Sequence, residues 1–161
     1  MVGRDEFASA LAAVCTPVSV VTSHHRGRPH GTTVSAFCSL SLEPPMVLVS
    51  LDRGSDLLAM VSESERFGVN VLAHDQDKLA RSFARKGVDK FEGVEWDLHL
   101  GVPRLAGAAT WLACRLDRLL EGGDHLVAYG LVEHAESVPG DPLLYRNRAF
   151  GTLTPTAAGA R

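Results

Sequence analysis

Residues 31–52 read GTTVSAFCSLSLEPPMVLVSLD, and the first half of that stretch alternates. Val34, Ala36, Cys38, Leu40 and Leu42 are apolar, while Thr33, Ser35, Phe37, Ser39 and Ser41 supply four hydroxyls and one ring. Strict alternation predicts one strand with a buried face and a face of short donors and acceptors. Glu43-Pro44-Pro45 ends it, because neither proline donates to a ladder. Met46–Leu51 is a continuous apolar run, which predicts a strand covered on both faces. The row of hydroxyls has two readings: it faces water, or it lets a flat polar ligand lie against the backbone.

Working outward, Phe7, Leu11 and Val14 recur at helical spacing after Asp5 and Glu6 and predict a short amphipathic helix ended by Pro17. Val18–Ser23 reads as a strand, with HHRGRPHG a turn centred on Gly27. Downstream, Ser55 is a plausible N-cap for a helix carrying Leu57, Leu58 and Val61. RFGVNVLA alternates as a strand, and DQDKLARSFARKG is helical with Leu79, Ala80 and Phe83 on one side. Ala108–Leu119 and His125–Val138 are long strands joined across Glu121-Gly122-Gly123-Asp124, a hairpin signal. Strands dominate without repeats or linkers. One β-rich domain over residues 1–153 is expected, a closed or nearly closed antiparallel barrel with short peripheral helices, followed by a frayed tail over 154–161.

The chain has 161 residues, 45% of them hydrophobic and 22% charged, which is enough for a substantial core. A net charge of −3 argues against nucleic acid, whose phosphates call for Lys and Arg. No apolar run approaches the ~20 residues that span a membrane, and MVGRDEFASALAAVC has too short an apolar stretch for a secretion signal. Cys15, Cys38 and Cys114 lack paired spacing. Three reduced thiols, buried as small hydrophobes in a cytoplasmic protein, are expected.

Several residues carry candidate chemistry. Lys78, Arg81, Arg85 and Lys86 fall near one face of the third predicted helix, either as a solvated face or as an anion site at its end. Arg53-Gly54-Ser55 opens the second helix, with free N–H groups and a hydroxyl suited to a phosphate. His125, after Gly123-Asp124, is either structural or a donor to a ligand carbonyl or carboxamide. The segment from Tyr145 to Phe150 holds two arginines and two aromatics, fit to stack on a nucleotide or to end a surface strand. His24, His25 and His30 surround one turn without further ligands, a weak metal signal. No G-x-G-x-x-G, Walker loop, G-x-S-x-G or H-E-x-x-H occurs.

Taken in order, GTTVSAFCSLSLEPPMVLVSLD, RFGVNVLA, FARKGVDKFEGVEW, GDHLVAYGLVE and PLLYRNRAF resemble the flavin reductase-like family over residues 5–153. These are small NAD(P)H:flavin oxidoreductases that supply reduced flavin to two-component monooxygenases. The resemblance implies an FMN-binding split β-barrel, a homodimer, and FMN or FAD near the interface. It places Thr33, Val34 and Ser35 on the isoalloxazine edge, with Ser50, Leu51 and Asp52 as the neighbouring wall. It places Ser55 near the phosphate, and Phe83, Ala84, Arg85 and Lys86 over the ribityl phosphate. His125, Tyr145, Arg146 and Arg148 are implied as contacts of the nicotinamide dinucleotide. No basic pair is placed to read a 2′-phosphate, which favours NADH over NADPH. The alternatives are a flavin carrier or redox sensor without turnover, a pyridoxamine-phosphate oxidase-like enzyme, and a β-barrel interaction module.

Overall fold

Arg26 and Gly27, with φ of 49° and 77°, close a two-residue hairpin between β2 (Ser19–His25) and β3 (Arg28–Val34). The computed structural model describes residues 1–87 and 89–156. Upstream lie α1 (Arg4–Ala12) and the two-residue β1 (Thr16–Pro17). The helix therefore ends before Pro17, which belongs to a strand. The predicted single strand over residues 33–42 is two: β3 stops at Val34 and β4 begins at Phe37 (Phe37–Leu42). The chain bends at Ser35, which breaks the alternation, and the face that follows is inverted. Phe37 packs against the core, whereas Cys38 is exposed and Leu42 is 92% exposed.

β5 (Pro45–Asp52) alternates, with Val47, Val49 and Leu51 buried and Met46, Leu48 and Ser50 half-buried, so it is only partly covered on its second face. α2 (Asp56–Ser64) starts as expected, with the Ser55 hydroxyl accepting from the Leu58 N–H at 3.2 Å. β6 (Arg66–Val71) does not alternate: Phe67–Asn70 are all buried, because layers cover both its faces. α3 (Asp77–Phe83) ends at Phe83, so Arg85 and Lys86 lie beyond it and do not extend a basic helix face. β7 (Trp96–His99) and β8 (Val102–Leu105) form a small hairpin that the sequence pattern did not reveal. β9 (Thr110–Gly122) and β10 (His125–Ser137) are the expected long hairpin, followed by β11 (Leu144–Arg146) and β12 (Ala149–Gly151).

Seven strands form one antiparallel sheet in the order β3-β2-β6-β9-β10-β5-β4. No ladder among the described residues joins β3 to β4, so of the closed or nearly closed antiparallel barrel expected from the sequence the structure shows the large antiparallel sheet and the short helices, without closure between its end strands. Val21, Val49, Phe67 and Ala128 pack beneath α2 on one side of it. Val18 and Val20 face the opposite way, packing with Leu72, Phe83, Phe91 and Leu143. Among the described residues no helix is long and apolar enough to cross a membrane. Of the cysteines only Cys114 is buried; Cys15 and Cys38 are exposed, because α1 and β4 leave their outer faces uncovered. Thr154–Thr156 carry no regular structure, and the rest of the expected tail lies outside the described residues.

Candidate functional site

A cleft of about 1230 Å³ opens along the edge strand β3. Thr33, Val34 and Ser35 form one wall, and Ser50, Leu51 and Asp52 the end of β5 beside it. Gly54 and Ser55 bring the start of α2 to the cleft, and His125 closes the rim from β10. The remaining boundary comes from Arg28 and His30 on β3 and from the loop carrying Lys86, Lys90, Phe91 and Trp96.

Backbone geometry determines what β3 offers. The Lys90 ammonium donates to the Gly31 carbonyl at 3.0 Å, so the polar groups of Gly31 point away from β2. In an antiparallel strand the two main-chain groups of a residue point to one side and alternate along the chain. The N–H and C=O of Thr33 therefore lie on the same free edge, a donor and an acceptor spaced to meet the rim of a flat heterocycle. The hydroxyls act differently from expectation: Thr33 Oγ1 donates to the Ala80 carbonyl at 2.6 Å, which fastens α3 to β3. Among the described residues no side-chain hydrogen bond engages the hydroxyls of Ser35 and Ser50, which leaves them for a ligand.

Behind this wall a chain of rings fixes the strand. Phe83 is fully buried, meets Phe91 edge-on at 5.1 Å, and Phe91 meets Trp96 at 5.2 Å. A Cβ on Gly31 would sit 2.9 Å from the Phe83 ring, so glycine is needed for that approach. Phe83 thus supports the cleft from beneath and does not line it. Ala84 and Arg85 are exposed beyond α3 and off the cleft, and of that segment only Lys86 reaches it.

At the opposite rim, His125 Nδ1 and Asp124 Oδ1 are 2.8 Å apart, a contact that holds the Asp124 carboxyl below the usual carboxylate range. Asp52, the cross-strand partner of His125, accepts from the Gly54 N–H at 2.8 Å and so orders the approach to α2. At the other end His30 and Lys90 are titratable groups that sequence reasoning did not assign to the site. Burial lowers the pKa of both; Lys90 and Arg28 lower that of His30 further, and Asp56 opposes the shift in each case. Nothing in the local pattern GVDKFEG marks Lys90 as buried, because its cover comes from β3, distant in sequence.

Tyr145, Arg146 and Arg148 stand apart from this cleft. Tyr145 pairs with Thr16 of β1, and Arg146 Nε donates to the Ala13 carbonyl at 2.9 Å, capping the end of α1. Asn147 and Arg148, with φ of 50° and 62°, make the turn between β11 and β12.

Residues 11–154 match the flavin reductase like domain. The reductase component of 4-nitrophenol 4-monooxygenase/4-nitrocatechol 2-monooxygenase from Rhodococcus opacus is 39% identical over 152 residues, covering 94% of this chain and 82% of that protein. FMN reductase (NADH) SmoA from Agrobacterium fabrum is 38% identical over 149 residues, covering 92% and 85%. The solved structure of the NADH:FAD oxidoreductase SgcE6 from Streptomyces globisporus C-1027, in complex with NAD and FAD fragments, aligns with a TM-score of 0.90 at 35% identity, covering 96% of this chain and 94% of that one. The chain belongs to the flavin reductase like family.

Proposed function

We propose that this protein is an NADH-dependent flavin reductase that provides reduced FMN or FAD to a partner flavin-dependent monooxygenase. The observation that carries this reading is the free main-chain edge at Thr33, facing a cleft of about 1230 Å³ in a chain of this family. The residues present fit a flavin. Thr33 supplies a donor and an acceptor for a heterocyclic edge, and Ser35 and Ser50 add hydroxyls. The N–H groups before α2 and the Lys86 ammonium suit a phosphate.

Bound flavin supplies the hydride acceptor and NADH the hydride. Thr33–Ser35 and Ser50–Asp52 hold the ring in register, and the Thr33 N–H offsets negative charge gained at its edge. His125 orients the nicotinamide from the facing rim, which fixes distance and angle without moving a proton.

The open sheet is read as the split barrel of the family, with residues 1–153 as its catalytic unit, working in the cytoplasm. A homodimer is supported by α1, none of whose residues is buried: Phe7 and Leu11 are 56% and 50% exposed, and Val14 just beyond the helix is 51% exposed. Tyr145, Arg146 and Arg148, off the cleft of their own subunit, contribute to dinucleotide binding only through such a second copy.

Steady-state NADH oxidation with added FMN or FAD tests the reading, and absence of turnover with both overturns it. His125→Ala should raise the KM for NADH about tenfold, the worth of one hydrogen bond, with flavin affinity unchanged. The reverse pattern removes His125 from the nicotinamide side.

A further inference from the structure

Asp124 and His125 meet through one nitrogen of the imidazole. Nδ1 lies 2.8 Å from Asp124 Oδ1, whereas Nε2 makes no hydrogen bond among the described residues. An ionised carboxylate accepts hydrogen bonds and has none to donate. Asp124 is ionised at neutral pH, because the hydrogen bond with His125 holds its carboxyl below the usual carboxylate range. The hydrogen of the contact therefore sits on Nδ1. In the neutral ring Nε2 is then a bare acceptor, since the bond made by one nitrogen decides the state of the other. The charged neighbours are engaged elsewhere. Asp52, across the ladder from His125, accepts from the Gly54 N–H, and the Arg53 guanidinium serves the Gly123 carbonyl and Glu121. His125 lines the cleft with 40% of its side chain exposed, so Nε2 is left for a ligand.

We propose that Asp124 is a positioning residue that fixes the His125 tautomer, so that Nε2 accepts a hydrogen bond from the carboxamide N–H of NADH and selects that group over substituents without a donor. The inference rests on the reductase reading above and adds to it the direction of the bond at the rim. A histidine that donated would meet the carboxamide oxygen, which an acetyl group reproduces. One that accepts needs the N–H, which an acetyl group lacks. The two cases therefore differ in the coenzymes they tolerate, because a polar group shut into a cleft without its partner is costly.

Steady-state kinetics with NADH and with its reduced acetylpyridine analogue read that direction, at about pH 8 where an imidazole is ordinarily neutral. Each coenzyme is compared with itself across variants, which removes the difference in hydride-donor strength between the two. His125→Ala should raise the KM for NADH about tenfold and that for the analogue by less than about twofold. Asp124→Ala frees the ring to carry its hydrogen on Nε2. It should raise the KM for NADH about threefold to tenfold and leave that for the analogue unchanged or lower. The Asp124 side chain is 92% exposed and touches only His125, so this variant keeps the fold, and flavin affinity at the wild-type level shows it. A merely structural Asp124 would weaken both coenzymes alike. Equal rises for both coenzymes, or none with either, overturn the assignment. Absence of NADH turnover by wild-type protein with any flavin instead sinks the reductase reading itself.

Discussion

The Arg53 N–H donates to the Asp124 carbonyl at 3.1 Å, joining the loop before α2 to the turn that carries His125. The Arg53 side chain reinforces the join through Nε to the Gly123 carbonyl at 2.8 Å and an ion pair with Glu121. The start of α2 and the rim carrying His125 are thereby held in one frame. Arg53→Ala keeps the main-chain contact and loses the other two. The KM for NADH should rise about threefold to tenfold, flavin affinity should not move, and amide exchange at Gly123 and Asp124 should accelerate. The double variant with His125→Ala should be no worse than His125→Ala alone. Additive losses would show that Arg53 acts elsewhere.

Gly130 lies at a register shift in β10, where the chain crosses the Phe67 ring. A Cβ there would overlap that ring and stand 3.0 Å from the Cys114 Cβ, both residues being fully buried. Gly130→Ala is expected to destabilise the protein by about 1–3 kcal/mol, as overpacking does. A thermal melt should show a Tm lowered by roughly 3–10 °C, and an unchanged Tm would mean that the strand moves aside freely.

Burial, with a smaller push from the Glu133 charge, raises the Cys114 thiol from 9.0 to about 12. The unfolded chain then loses this proton near pH 9 while the folded chain keeps it. Stability from this group is complete below pH 9 and declines as pH rises toward 12. In native protein at pH 8, Ellman's reagent should label the exposed Cys15 and Cys38 and spare Cys114 until denaturant is added. Early labelling of Cys114 would contradict its burial.

Phe7 and Leu11 lie one helical turn apart on α1 and are exposed within one subunit. If that face meets a second copy, Phe7→Asp with Leu11→Asp should shift the molecular mass seen by light scattering from dimer to monomer. Circular dichroism should change little, because α1 adds nothing to the core of its own chain. A monomeric wild-type protein would end this proposal.

Where a pattern repeats over uninterrupted strand, residues alone were enough. The β9–β10 hairpin and the Ser55 cap lie where alternation, a Gly-rich turn and a small hydroxyl predicted them. The reading of 33–42 failed at Ser35, because hydropathy gives no mark for a bend that breaks the alternation. Phe37 went inward, and Cys38, Leu40 and Leu42 turned outward. The β7–β8 hairpin escaped notice since each arm has only four residues and Pro103 interrupts the second, and its turn uses Leu100 and Gly101 at φ of 50° and 80°. The row of hydroxyls did mark the cleft, but Thr33 spends its own on α3 and presents main chain instead. Lys90 and His30 were invisible for a different reason: their burial depends on segments some 60 residues apart in sequence.

The cleft draws its walls from Arg28 on β3, Asp52 on β5, Trp96 on β7 and His125 on β10. No fragment short of nearly the whole chain can assemble them. A molecule lodged there stabilises the finished protein and none of its partial forms, so it acts as a gauge of complete folding. Quenching of its fluorescence during refolding should therefore lag behind the appearance of secondary structure, and nicked or truncated chains should emerge colourless from purification.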